Sequence, residues 1–184
     1  MAYTAVSSAE STTVSASPVT ISVNIGSRTN GLIAVMLSGS STAVFSALSM
    51  TYAGTALAQA ILTEAGSRFA GIFYLTAPTN GTNDLVITYS VSSGGSVSYW
   101  HIDIAWFDGA HQTQASILDQ TNSGAGVTDP SVAVTPTEDN ELIVCQYVSR
   151  ADAVLAPAGS PGTVILLQDY DQGANVMGGG YYIQ

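Results

Sequence analysis

Residues 96–107 read Ser-Val-Ser-Tyr-Trp-His-Ile-Asp-Ile-Ala-Trp-Phe, and the middle of the stretch alternates strictly. Trp100, Ile102, Ile104 and Trp106 share one face; Tyr99, His101, Asp103 and Ala105 share the other. A period of two is a strand, and the two faces of a strand meet different surroundings. Both tryptophans of the chain lie on the first face, which marks it as the centre of a core. The second face is expected to meet solvent or a neighbouring subunit.

The same period recurs on both sides. Val19, Ile21, Val23 and Ile25 alternate with Thr20, Ser22 and Asn24, a half-buried strand. Arg28-Thr29-Asn30-Gly31 reads as a tight hairpin turn, Asn-Gly supplying the positive φ values it needs. Leu32 to Leu37 is apolar on both faces and reads as a central strand, with Ser38-Gly39-Ser40-Ser41 as a loop. Ser46–Tyr52 and Thr55–Leu62 flank Ala53-Gly54 as a hairpin. A helix over Ala56–Glu64 competes on propensity, but the tight turn before it favours strand. Arg68–Leu75 and Asp84–Val91 are further strands, the latter with Leu85, Ile87, Tyr89 and Val91 inward, and Gly94-Gly95 turns the chain into the tryptophan strand.

Residues 108–130 are polar and Gly-rich and read as a surface excursion. Ser131–Thr135 is a short strand stopped by Pro136. Glu141–Ser149 is a strand apolar on both faces, Arg150–Gly162 a loop, and Thr163–Gln168 and Val176–Ile183 close the chain. About ten short strands with turn signals between them, and no substantial helix, predict an all-β antiparallel sandwich. Residues 1–17, rich in Ser, Thr and Ala, form an arm or an edge strand; residues 18–184 form a single β-sandwich domain.

Composition narrows the function. The chain has 184 residues, of which 46% are hydrophobic and only 9% charged, so its polar surface is hydroxyl and amide rather than charge. Net charge is −10, with three arginines and no lysine. Nucleic-acid binding needs a cationic patch to neutralise phosphates, and Arg28, Arg68 and Arg150 do not supply one. An anionic membrane surface is disfavoured for the same reason, and no apolar run reaches the ~20 residues of a membrane helix. The N-terminus shows neither the basic start nor the apolar core of a signal peptide. Cys145 has no partner for an internal disulfide and sits in an apolar run, where a small buried hydrophobe is the expected role.

The residues that carry chemistry are few. His101 and Asp103 are the one His–Asp pair with the look of a base and its orienting carboxylate. Residues i and i+2 lie about 6–7 Å apart along a strand, a poor separation for a direct hydrogen bond, and no nucleophile motif accompanies them. His111 does not complete a zinc signature. Asp169-Tyr170-Asp171-Gln172-Gly173 holds half of a calcium-loop pattern without its third acid or distant Glu. Glu138, Asp139 and Glu141 cluster in a turn. Each is expected to be an ordinary polar surface, and no residue is assigned as catalytic, cofactor-binding or metal-ligating.

Three stretches carry a family resemblance. They are Ser49-Met50-Thr51-Tyr52-Ala53-Gly54-Thr55-Ala56-Leu57, then Gly66 through Ile87 with Tyr74-Leu75-Thr76-Ala77-Pro78-Thr79-Asn80-Gly81, and Ile104-Ala105-Trp106-Phe107-Asp108-Gly109-Ala110-His111-Gln112-Thr113. Together they resemble a jelly-roll-like sandwich module of bacteriophage virion proteins and large bacterial surface proteins, over about residues 45–150. Ala110-His111 departs from the family, which usually has Val and an acidic residue there. The resemblance implies a fold and a setting rather than a site: a non-enzymatic virion protein made in the host cytoplasm. A capsid decoration protein is its leading form, a homotrimer cementing a major capsid protein or another virion protein. The alternative is an extracellular carbohydrate-binding or adhesion module, or a filament subunit that assembles by strand addition. No cofactor is implied.

Overall fold

A computed structural model of the chain describes residues 2–11, 17–113, 117–119, 121–124, 133–135, 141–149, 165–171 and 176–183. Among the described residues there are twelve strands and no helix. In chain order they are β1 (Ala2–Ser11), β2 (Val19–Asn24), β3 (Leu32–Ser41), β4 (Phe45–Tyr52), β5 (Thr55–Ala56), β6 (Ala58–Ala65), β7 (Arg68–Thr76), β8 (Thr82–Val91), β9 (Val97–Asp108), β10 (Leu142–Ser149), β11 (Ile165–Asp171) and β12 (Val176–Ile183).

Every pairing is antiparallel. A five-stranded sheet runs β1-β9-β3-β7-β6 and a four-stranded sheet runs β2-β8-β4-β5. The chain crosses between the sheets repeatedly, with only the β4–β5 and β6–β7 pairs consecutive in one sheet, so that β1, β3, β7 and β9 interleave with β2, β4, β5 and β8. This is the double Greek key of a jelly roll, and the all-β antiparallel sandwich read from the alternation is the fold observed. The N-terminal stretch supplies β1, which pairs with β9 from Ala2 opposite Asp108 to Ser11 opposite Trp100.

The two sheets close on one core. Trp100, Ile102, Ile104 and Trp106 enter it from β9; Ile33, Val35 and Leu37 enter from β3, and Met50, Tyr52, Leu85 and Ile87 come from the facing sheet. The Trp100 ring meets the edge of Tyr89 at 5.2 Å between centroids, and Phe45 stands edge-on to Phe69 at 4.9 Å. Such arrangements suit the quadrupoles of the rings.

A third sheet, β10-β12-β11, covers the other face of the large sheet, β10 lying against β7 and β3 and β12 against β3 and β9. Leu142 and Val144 of β10 pack there on Leu32, Ala34, Met36, Ala105 and Phe107. The molecule thus has three layers where the sequence suggested two. The extra layer explains why Leu32–Leu37 is apolar on both faces: β3 is buried from both sides, and all ten of its residues are shielded.

Four local expectations are corrected. Ser38–Ser41 is not a loop but the end of β3. Its hydroxyls are served internally: Ser40 Oγ donates to Ser67 O, Ser41 Oγ to Ala43 O, and Ser38 Oγ accepts from Gln146. Asn30-Gly31 does not close a hairpin. Asn30 has φ 50°, but β2 and β3 lie in different sheets, and the turn carries the chain between them. The hairpin at Ala53-Gly54 is real, with φ of 50° and 78°, yet its second strand divides. Leu57, buried and donating to Met50 O, moves the chain from β5 in the small sheet to β6 in the large one. Finally, residues 133–135 do not form a strand; Ser131 and Val132 lie outside the described residues.

Candidate functional site

The second face of β9 is not a surface. His101 and Asp103 are fully buried, both at 0% exposure, and Ala105 follows at 1%. The expectation that this face meets solvent or a subunit is overturned by the third sheet, which lies over it. The face has two halves. Ala105 and Phe107 belong to the apolar cluster under Leu142 and Val144. His101 and Asp103 form the polar half, His101 opposite Ser38 of β3 and Glu10 of β1, Asp103 opposite Met36 and Ser8.

The polar half is knitted in two places. His101 Nε2 lies 3.0 Å from Asp103 Oδ1, so the tautomer carrying its hydrogen on Nε2 donates to the carboxylate. The backbone spacing did not forbid this, because side chains on one strand face lean along the strand and the two lean together. Across the layer boundary, Gln146 Nε2 of β10 donates to Ser38 Oγ at 2.8 Å. Asp103 Oδ2, Gln146 Oε1 and the Tyr99 hydroxyl are buried without a hydrogen-bond partner among the described residues. Buried polar atoms of that kind destabilise a layer boundary, so the pairings that do form fix how the third sheet sits. Neither Ser38 nor Gln146 was legible as part of this cluster, one reading as loop and the other lying in an apolar run.

The other candidates do not converge on it. His111 is exposed, and its Nδ1 accepts from the Thr113 amide at 3.2 Å. Asp169 and Asp171 lie on β11, a strand and not the loop their spacing suggested. Gln172 and Gly173, and Glu138 and Asp139, lie outside the described residues. No group of three or more His, Cys, Asp or Glu is assembled for a metal among the described residues. Cys145 is exposed, correcting its expected burial: β10 turns Val144 and Gln146 toward the large sheet and Cys145 away.

The stretch that carried the resemblance has a structural use here. Asp108 Oδ1 accepts from the Thr29 amide at 2.9 Å, and Oδ2 faces Arg28 Nη1 at 3.2 Å. Gly109, at φ 78°, donates to Thr29 O, and Ala110, buried, donates to Asn30 O. Gln112 Nε2 donates to Ala110 O at 2.7 Å and Gly31 O at 3.4 Å. The segment is a clasp that ties the end of β9 to the β2–β3 connection. Asn80 is drawn into the same region, its Oδ1 accepting from the Arg28 amide at 2.9 Å.

No family model matches the chain, and no curated protein and no solved structure matches it.

Proposed function

We propose that the chain is a non-enzymatic structural protein of a bacteriophage virion, acting by self-association and by contact with a capsid or other virion protein. The observation that carries the reading is the interleaved strand order, β1-β9-β3-β7 over β2-β8-β4-β5. It is the connectivity common in capsid and lectin domains, and it agrees with the module that residues 45–150 resemble. Two further features support it. The exposed face of the small sheet is largely hydroxyl, with Thr20, Ser22, Ser46, Ser49, Thr88 and Ser90 outward and Ser46 bonded to Ser90. Asp84 is an exposed acid on this face, which otherwise carries little of the net charge of −10, so copies meet there with little repulsion. The one His–Asp pair is sealed between two layers, where it serves the packing and no substrate reaches it.

Cementing by this route is many weak contacts multiplied by symmetry. The test is the gene's surroundings. Sequencing the DNA on both sides is expected to show a major capsid or portal gene nearby. Flanking genes for cell-wall attachment or secretion would contradict the proposal in favour of an extracellular module.

A further inference from the structure

We propose that Asn30 is a site of self-modification: its side-chain amide is lost through attack by the Gly31 nitrogen, and the fold withholds the same reaction from Asn80. This goes beyond the virion reading and does not rest on it, since the reaction asks for water and no partner.

The chain holds two Asn-Gly steps, Asn30-Gly31 and Asn80-Gly81. In such a step the glycine nitrogen, with no Cβ beside it, can close on the side-chain carbonyl carbon of the asparagine. At Asn30 the Gly31 nitrogen gives its proton to hydroxide and bonds to Cγ. The Cγ–Nδ2 bond then breaks and ammonia leaves, which closes a cyclic imide. Water opens the ring at either carbonyl, its hydroxyl going to carbon and its hydrogen to nitrogen. The product is aspartate, or isoaspartate with the main chain running through the former side chain. One water enters, one ammonia departs, and nothing is oxidised or reduced.

The structure treats the two steps differently. At Asn80 both reacting groups are held. Its Oδ1 accepts from the Arg28 amide at 2.9 Å and its Nδ2 donates to Arg28 O at 3.4 Å, while the Gly81 nitrogen donates to Gly26 O at 2.8 Å. The side chain must leave Arg28 and the nitrogen must leave Gly26 before the two can meet. At Asn30 the side chain is exposed and makes no hydrogen bond among the described residues, and neither does the Gly31 nitrogen. Asn30 also holds φ at 50°, in the left-handed region that is costly for a residue with a Cβ. The other described asparagines have no glycine after them: Asn24 precedes Ile25, Asn83 precedes Asp84 and Asn122 precedes Ser123. What the reaction alters is the clasp. Asn30 O accepts from the Ala110 amide at 2.9 Å, and Gly31 O accepts from the Ala77 amide at 3.0 Å and from Gln112 Nε2 at 3.4 Å. Isoaspartate lengthens the main chain by one carbon between the Asn30 Cα and the Gly31 nitrogen, and it places a carboxylate there.

Incubation of the full chain at mildly alkaline pH, folded and in denaturant, tests the assignment. Cleavage after arginine puts Asn30 on residues 29–68 and Asn80 on residues 69–150, and fragment-ion mass spectrometry locates the amide-to-acid change on each. In the folded chain Asn30 is expected to convert at least tenfold faster than Asn80. In denaturant the two rates are expected to converge, which assigns the difference to the fold. Asn30→Gly, which suits the φ of 50°, is expected to abolish the early acidic form seen by native isoelectric focusing of the folded protein. Equal rates in the folded chain, faster conversion at Asn80, a tenfold difference that persists in denaturant, or an intact Asn30 in the folded chain over the period in which the denatured chain converts at both positions would overturn the proposal.

Discussion

His101 Nε2 and Asp103 Oδ1 lie 3.0 Å apart between two β layers, and neither side chain reaches solvent. Breaking such a pair leaves a buried polar group short of a hydrogen bond, which costs about 1–3 kcal/mol. His101→Ala and Asp103→Ala are each expected to lower the unfolding free energy by that order in chemical denaturation. His101→Leu/Asp103→Leu is expected to cost clearly less than the two singles summed, as coupled neighbours do. Two small and additive losses would mean that the pair contributes nothing to the fold.

The bond from Gln146 to Ser38 joins the third sheet to the large one. Gln146→Ala is expected to cost about 0.5–1.5 kcal/mol, the usual net worth of a hydrogen bond. Its local signature is more telling. Amide exchange is expected to quicken in β10 and β12 while β4 and β8, in the far layer, keep their protection. Uniform quickening across all three sheets would contradict the layered description.

Gly39 of β3 lies opposite Trp100 of β9. A Cβ there would run into the Tyr99 carbonyl, the Phe69 ring and the Trp100 Cα. Gly39→Ala is therefore expected to destabilise by at least the ~1–3 kcal/mol of ordinary overpacking, because two of the obstructing groups are backbone and cannot rotate away. Thermal unfolding reads this directly, and an unchanged midpoint would show that the two strands are farther apart.

Burial raises the pKa of Tyr89 above its usual 10.0, in keeping with the packing of its ring against Trp100 and Phe45. The folded protein thus holds this phenolic proton more tightly than the unfolded chain does. Below pH 10 both states are protonated at this group and the full stabilisation is present. Above pH 10 the unfolded chain ionises first, so stability falls as pH rises through the folded value. Tyr89→Phe is expected to flatten that alkaline loss, and the ultraviolet titration of the wild type to show one tyrosine ionising late. A difference between the two titrations that showed Tyr89 ionising along with the ordinary tyrosines would place it in solvent.

The core was legible because alternation in β9 and β8 is a local signal: Trp100, Ile102, Ile104 and Trp106 all point where their period placed them. The doubly apolar run of β3 was equally legible as central. What no local signal carried was the third layer. Its inward residues, Leu142, Val144 and Gln146, are separated in sequence from the face they cover, and only the long-range packing of β10 reveals that His101 and Asp103 are inside. Ser38–Ser41 was misread for a related reason. Serine and glycine signal a loop, but here buried hydroxyls find partners on neighbouring strands. The clasp built from Asp108 to Gln112 was visible as a motif, while its partners Arg28 to Gly31 appeared only once the ends of the strands met.

The proposed place of this chain is in a virus particle. Quantitative mass spectrometry of purified particles, from a host producing the virus whose genome carries the gene, tests it most directly. The expected result is this chain in a fixed ratio to the major capsid protein, retained through density-gradient purification. Its absence from particles, with the chain recovered in the particle-free lysate or the medium, would rule out a role in the virion.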